Sequence, residues 1–214
     1  MIVNAARRSA CATRLDLRQI SYMAAQLLQA IPEPVARKRF TRDELRRMEE
    51  SGILEGRYEL IEGDLIEKTG QNPKHASALR LICAWLAACF GMERLSIQLP
   101  IEVAPGDQQR SEPEPDIAVL NALLPGYSHR HPRGDELTLA VEIADSSSRF
   151  DLATKAALYA LAAVPEYWVL DVTRRMLLVH RHPENGVHRR VEHLAEQETI
   201  AINGKTLLVS AVLG

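Results

Sequence analysis

Cysteine is scarce in this chain and does not come in pairs. The three residues are Cys11, Cys83 and Cys89, an odd number with no Cys-x-x-Cys spacing. That pattern excludes both a disulfide framework and a zinc site. Aromatic residues are few as well. Two tryptophans and three phenylalanines do not furnish a surface on which bases stack. No apolar run reaches the about 18 residues that a membrane-crossing helix needs, and the chain reads as cytoplasmic with no membrane partner. A net charge of one sign is also missing, since 26 Lys and Arg stand against 28 Asp and Glu for a formal charge of -2. No general basic field draws nucleic acid to it, so any DNA contact must come from local patches.

What is present is the apolar material of one ordinary globular domain, with 46% hydrophobic and 25% charged residues in a chain of 214. Residues 1–35 read as a poorly ordered N-terminal extension and residues 36–214 as the domain. Met1 to Tyr22 carries Arg7, Arg8, Arg14 and Arg18 against the single acid Asp16. It resembles a transit peptide only loosely. A disordered tail, or a start placed upstream of a natural beginning at Met23, is the better explanation. No internal repeat or low-complexity tract interrupts the rest.

Local signals set the order of elements. Thr41 followed by Glu44 reads as a capping box for a helix running to about Glu50 and stopping at Ser51-Gly52. Arg57–Ile61 and Leu65–Lys68 are strand-like runs joined by the turn residues Glu62-Gly63-Asp64. From Pro73 to Phe90 apolar residues recur at helical spacing, and Gly91 is placed to end that helix. Strands are expected at Leu95–Val103 and Ile117–Leu120. Leu137–Ile143 is a nearly unbroken apolar run of the kind covered on both faces. After the polar break Asp145-Ser146-Ser147-Ser148 come a helix over Asp151–Ala163 and a hairpin of Tyr167–Asp171 with Met176–Arg181. Further strands, of undetermined register, are expected between Val187 and Val209. Tyr167, Trp168 and Asp171 read as core and hairpin structure.

Three charged residues stand where the apolar pattern would not place them. Glu142 interrupts the central strand run, and a carboxylate buried there as an ion is costly unless it binds a metal or pairs with a cation. A strand-end glutamate that reaches solvent or an arginine explains it as well. Asp116 follows Pro115 and opens another buried-strand pattern, although Pro-Asp is also an ordinary turn dipeptide. If the two strands are neighbours, their acids repel until protonation or a hard divalent cation relieves them. Lys155 lies on the next helix with Asp151 and Tyr159 one turn away. It either returns a cation over the strand ends or is an exposed lysine paired with Asp151. Glu59 lies in a strand beside apolar neighbours.

In this order the segments RYELIEGDLIEK, PKHASALRLICAWLA, PEPDIAVL and LAVEIADSSSRFDLATKAALYALAAVPEYWVLD resemble the Uma family of restriction-endonuclease-like proteins. The likeness runs from about Phe40 to His182. It implies an α/β fold of the PD-(D/E)XK nuclease superfamily: a mixed β-sheet flanked by helices, with added β-hairpins. It further implies that Asp116 and Glu142 bind Mg²⁺ or Mn²⁺ and that Glu59 completes the acidic cluster. The usual signature has a lysine two positions after the second acid. Here that position is Ala144, and Lys155 is the matching residue on the next helix. The family tends to show Ser-Pro-Ser-Thr where this chain has Asp145-Ser146-Ser147-Ser148, a change that alters a turn and leaves every acid in place.

His75 matches a recurrent histidine that touches a phosphate or a metal-bound water, or else makes a local bond at its helix end. Asp151 is expected to orient Lys155. The implied activity is metal-dependent hydrolysis of DNA phosphodiester bonds, with Lys155 polarising the water or neutralising the phosphate, by a homo-oligomer, in the simplest case a dimer. The Arg37-Lys38-Arg39 group with Arg42, Arg46 and Arg47, and Arg174-Arg175 with Arg181, position a DNA backbone or are solvated surface charges. Two competing readings are a non-catalytic nucleic-acid-binding or assembly module of the same fold, and a metal-dependent phosphoesterase acting on a smaller substrate.

Overall fold

The computed structural model describes residues 37–68, 72–103, 107, 109–145 and 149–214, without the side chains of residues 124 and 149–152. The expected N-terminal extension and the Ser146-Ser147-Ser148 break lie outside them. Arg39–Gly214 forms one compact unit. Helix α1 spans Arg42–Glu50 and starts on the expected capping box, with Thr41 and Glu44 bonded reciprocally. Strands β1 (Tyr58–Ile61) and β2 (Asp64–Glu67) form a hairpin whose turn residues Glu62 and Gly63 both take positive φ, 51° and 85°. Helix α2 runs Pro73–Phe90, capped by the Asn72 side chain and closed at Gly91.

The remaining elements are β3 (Leu95–Ile97), β4 (Ile117–Leu120), β5 (Leu137–Ala144), α3 (Arg149–Leu161), β6 (Glu166–Asp171), β7 (Met176–Glu184), β8 (Val187–Ala195), β9 (Thr199–Ile202) and β10 (Lys205–Leu208). Among the described residues six strands make one mixed sheet in the order β3-β4-β5-β6-β7-β8. The β5–α3–β6 crossover supplies its parallel pair, and the other neighbours are antiparallel. This is the α/β architecture expected from the sequence. No described helix is long and apolar enough to cross a membrane.

β5 is covered on both faces, as its composition requires. Leu139, Val141 and Ile143 pack with Ile82 and Leu86 of α2 and with Trp168. Ala140 and Ala144 face the opposite layer with Leu158, Tyr159 and Ala162. Strand alternation therefore turns Glu142 toward α3. Each aliphatic side chain buried here contributes about 1.5–3 kcal/mol, so one unpartnered carboxylate would offset two or more of them. Gly134, just before β5, permits the α3 end to close down. A Cβ there would lie 2.4 Å from both the Cβ and the carbonyl oxygen of Ala162.

The structure departs from the sequence reading in three places. β3 stops at Ile97 because Gln98 adopts φ 52° and turns its amide to Asp116. Ile101 and Val103 are buried all the same, in irregular chain held by Ile101 N–H to Pro113 O at 3.0 Å. α3 starts and ends two residues earlier than expected, terminated by Ala163 at φ 58°. The C-terminal region resolves into hairpins turned at Asn185-Gly186 and Asn203-Gly204, each residue at positive φ. Asn-Gly between apolar runs is a strong hairpin signal.

The β7–β8 hairpin places His180 and His188 5.5 Å apart, beside Tyr167. Burial, with the neighbouring His188 and His193, pushes the His180 imidazole down to about 4. Unfolded chain takes up this proton near 6.5 and folded chain only near 4. The contribution of His180 to stability is therefore complete above about pH 6.5 and is lost progressively as pH falls toward 4. In His180→Phe, the fall in melting temperature between pH 6.5 and 4.5 should shrink relative to the parent. An unchanged slope would show that His180 does not carry the effect.

Candidate active site

Two acids meet across the centre of the sheet. The pairing of Ile117 with Val141 sets Asp116, one residue before β4, opposite Glu142 on β5. Asp116 Oδ2 accepts the Ile143 N–H at 2.8 Å and lies 3.2 Å from His75 Nε2. Its Oδ1 accepts from Gln98 Nε2 at 3.3 Å. Burial alone would raise the Asp116 pKa, but these partners outweigh it and hold the carboxyl below the usual range. The bond to Asp116 in turn raises the His75 pKa, although burial opposes it. His75 also serves locally, since its N–H is capped by Asn72 Oδ1 at 2.9 Å.

Glu142 is 8% exposed. Its Oε1 accepts from Lys155 Nζ at 2.9 Å and from Tyr159 OH at 2.7 Å, two groups one turn apart on α3. Among the described residues none donates to its Oε2. Burial is the largest influence on this carboxyl and outweighs Lys155. With Asp116 and Glu59 nearby, its pKa is pushed up to about 7.

Glu59, on β1 and 4% exposed, reaches the same place from another direction. Lys155 Nζ lies 2.9 Å from its Oε2 and 3.2 Å from its Oε1, the latter contact alone having hydrogen-bond geometry. Lys68 Nζ is 2.9 Å from Glu59 Oε1. Burial would lower the Lys155 pKa, but Glu142 and Glu59 hold it well above the ordinary lysine range. The lysine is thus firmly a cation.

The structure brings together Glu59, Asp116, Glu142, Lys155 and His75. The alternative of an exposed Lys155 paired with Asp151 is corrected: its side chain is only 13% exposed and is bonded to Glu59 and Glu142. The Asp151 side chain lies outside the described residues. Residues without a role in the sequence reading also converge here. Besides Gln98 and Tyr159 they are Lys68, Glu114 and Arg57. Lys68 Nζ lies 3.1 Å from Glu114 Oε2 and 3.2 Å from Glu114 O, and Arg57 contacts the same Oε2. Pro113-Glu114-Pro115-Asp116 carried the signal for Glu114. Its prolines hold the chain extended, and alternation then puts Glu114 and Asp116 on one side. Among the described residues no group of three or more His, Cys, Asp or Glu is arranged to hold an ion.

The arginine clusters are tied to neighbouring groups. Arg39 pairs with Asp64, Arg46 with Asp43, Arg174 with Asp171, Arg175 with Glu196, and Arg181 with Glu166 and Glu192. Arg42 donates to Ser111 O and Arg47 to Asp43 O. A polar recess of about 470 Å³ beside α1, lined by residues including Arg42, Glu102, Glu112 and His131, includes none of the five gathered residues.

A mixed sheet with opposed acids on adjacent strands, and a lysine over them, defines a restriction-endonuclease-like fold with a charged centre. Residues 42–206 match the Uma2 family, described as "Putative restriction endonuclease", and the chain belongs to that family. Among solved structures it resembles a "putative nuclease belonging to DUF820" from Anabaena variabilis. The TM-score is 0.64 at 14% identity, over 81% of this chain and 97% of that one. This is a likeness of fold. No curated protein matches the chain significantly.

Removing Lys155 leaves the buried Glu142 without its cation and Glu59 with Lys68 alone. Breaking such a pair from one side costs roughly 3–5 kcal/mol, against about 1 kcal/mol at most for an exposed pair. Lys155→Ala should lower stability in urea by the larger amount, whereas the exposed control Lys74→Ala should stay near the parent. Equal midpoints for the two variants would show that the Lys155 pairs contribute nothing net.

Proposed function

We propose that this protein is a metal-dependent endonuclease that hydrolyses DNA phosphodiester bonds, with Asp116 and Glu142 holding Mg²⁺ or Mn²⁺ and Lys155 as the catalytic cation. The observation that carries this reading is the Lys155 ammonium, bonded to the central-strand Glu142 beside a firmly ionised Asp116, within a chain of this family. The residues fit such an ion. Asp116 and Glu142 are hard oxygen donors on opposed strands, and Glu142 Oε2 is left over by Lys155 and Tyr159. Mg²⁺ commonly takes one or two carboxylates and completes its shell with water and substrate phosphate. Glu59, the third acid of the cluster implied by the resemblance, borders the same space. When bound, the ion supplies a nucleophilic water and charge compensation on the phosphoryl group.

The chain's own groups do the rest. Asp116 keeps its charge through the Ile143 N–H, Gln98 and His75. Tyr159 and Lys155 fix the Glu142 carboxylate by one oxygen and leave the other directed elsewhere. Lys155 sits where it can donate to a non-bridging phosphoryl oxygen, an interaction that strengthens as negative charge develops there. His75 orients Asp116. Cleavage of both strands would follow most simply from a two-fold dimer.

Supercoiled plasmid with Mg²⁺ or Mn²⁺ tests the proposal. Wild type should nick or linearise it, and Asp116→Ala should lose at least on the order of a hundredfold in rate. Mn²⁺ at about a hundred times its dissociation constant should stabilise the wild type by about 2.7 kcal/mol and leave Asp116→Ala unmoved. An uncut plasmid together with equal metal shifts in both proteins would overturn the proposal. Binding without cutting would identify a non-catalytic module, and cleavage of a small phosphate ester alone would identify a phosphoesterase.

A further inference from the structure

Two lysines converge on one glutamate, and their other partners separate their roles. An ammonium group has three N–H donors and no acceptor. Lys68 Nζ faces three oxygens: Glu59 Oε1 at 2.9 Å, Glu114 Oε2 at 3.1 Å and Glu114 O at 3.2 Å. It donates to both Glu114 oxygens and pairs with Glu59 by charge. Lys155 Nζ also faces three oxygens, Glu59 Oε1 and Oε2 and Glu142 Oε1, and donates to Glu59 Oε1 and Glu142 Oε1. Glu59 itself, 4% exposed, accepts from Lys155 and lies 2.9 Å from the ammonium nitrogen of each lysine. A cation seeking Glu59 would have to displace one of them.

We infer that Glu59 acts as the carboxylate that holds Lys155 in place, and not as a metal ligand, and that Lys68, anchored on Glu114, is the positioning residue that keeps Glu59 aimed. This deepens the nuclease reading and rests on it for the role of Lys155. The brace crosses the fold as alternating charges: Arg57, Glu114, Lys68, Glu59, Lys155, Glu142. Lys68 has a specific consequence for Lys155. While Lys68 shares the charge of Glu59, Lys155 divides itself between Glu59 and Glu142. Without Lys68, Glu59 is a buried anion with one cation left, and it draws the Lys155 ammonium off Glu142 and away from the phosphate. Lys68→Arg keeps the charge and most of the reach, so it should retain part of the function.

The test uses the full chain in three variants, Lys68→Met, Lys68→Arg and the isosteric Glu59→Gln, so that a folding failure in the first leaves the last to decide. One readout needs no activity. A nitrogen-correlated NMR spectrum of lysine ammonium groups, assigned with Lys155→Arg, should show a protected Lys155 signal in wild type. That signal should move or broaden in Lys68→Met and Glu59→Gln and be largely restored in Lys68→Arg. Single-turnover plasmid cleavage should fall at least tenfold in Lys68→Met and Glu59→Gln, with Mn²⁺ affinity by calorimetry within twofold of wild type. A Lys155 signal indifferent to Lys68→Met and Glu59→Gln would overturn the brace. A tenfold loss of Mn²⁺ affinity in Glu59→Gln would overturn the assignment of Glu59 and return it to the metal. If the signal responds as expected while wild type never cuts DNA, the brace stands and the nuclease reading falls.

Discussion

The Glu142–Lys155 pair is the constraint around which the site is built. Glu142 occupies a strand with neighbours on both sides and packed layers above and below, where an ion without partners costs several kcal/mol. Relief has to come from the α3 side, because alternation points the carboxylate there. Lys155 and Tyr159, one turn apart, supply it at 2.9 and 2.7 Å. Their delivery requires that α3 be docked firmly, which the close approach of Gly134 to Ala162 permits and the burial of Leu158, Tyr159 and Ala162 secures. Well-packed apolar residues at the same positions would commonly be as stable or more so. Stability therefore does not account for the pair.

Electrostatics outside this centre point the same way. The protein is slightly acidic overall, and arginines that look like a backbone-binding patch in the sequence bond instead to nearby acids and carbonyls. Exposed pairs of this kind contribute at most about 1 kcal/mol each. They can exchange partners, but they do not make a standing positive field. A polyanion would therefore be held by short-range contacts and not drawn in by a long-range field.

Much of this was readable from the chain. Thr41 with Glu44, Pro73 and Gly91 mark helix ends by local chemistry that tertiary contacts leave intact. Asp116 and Glu142 stood out because an acid inside an apolar strand conflicts with its surroundings. Lys155 did not stand out in the same way, since a lysine on a helix is unremarkable until the sheet beneath it is known. Lys68 and Glu114 were hidden for a related reason. Their partners are 9 and 46 residues away, and only the hairpin register and the Pro-flanked extension bring them together. Gln98 shows the opposite failure: its neighbours predict a continuous strand, and the hydrogen bond to Asp116 competes successfully with it.

On the proposed reading of Lys155, the displacement of the signature lysine has a geometric explanation. A side chain at position 144 shares the face of β5 with Glu142, and Ala144 there is 2% exposed in the layer that includes Ala140, Leu158 and Tyr159. A lysine at 144 would have to run its stem through that packed layer to bring the ammonium beside Glu142. From α3 the stem descends along the helix face and the charge arrives over the carboxylate directly, with Tyr159 on the following turn reaching the same oxygen. Both routes end with an ammonium against the second acid, but the helical one leaves Ala144 free to pack. It also brings Lys155 within reach of Glu59 on β1, so that two separate parts of the chain fix one cation. A lysine on β5 would depend on its own strand for that placement, whereas Lys155 couples the position of α3 to the β1–β2 hairpin.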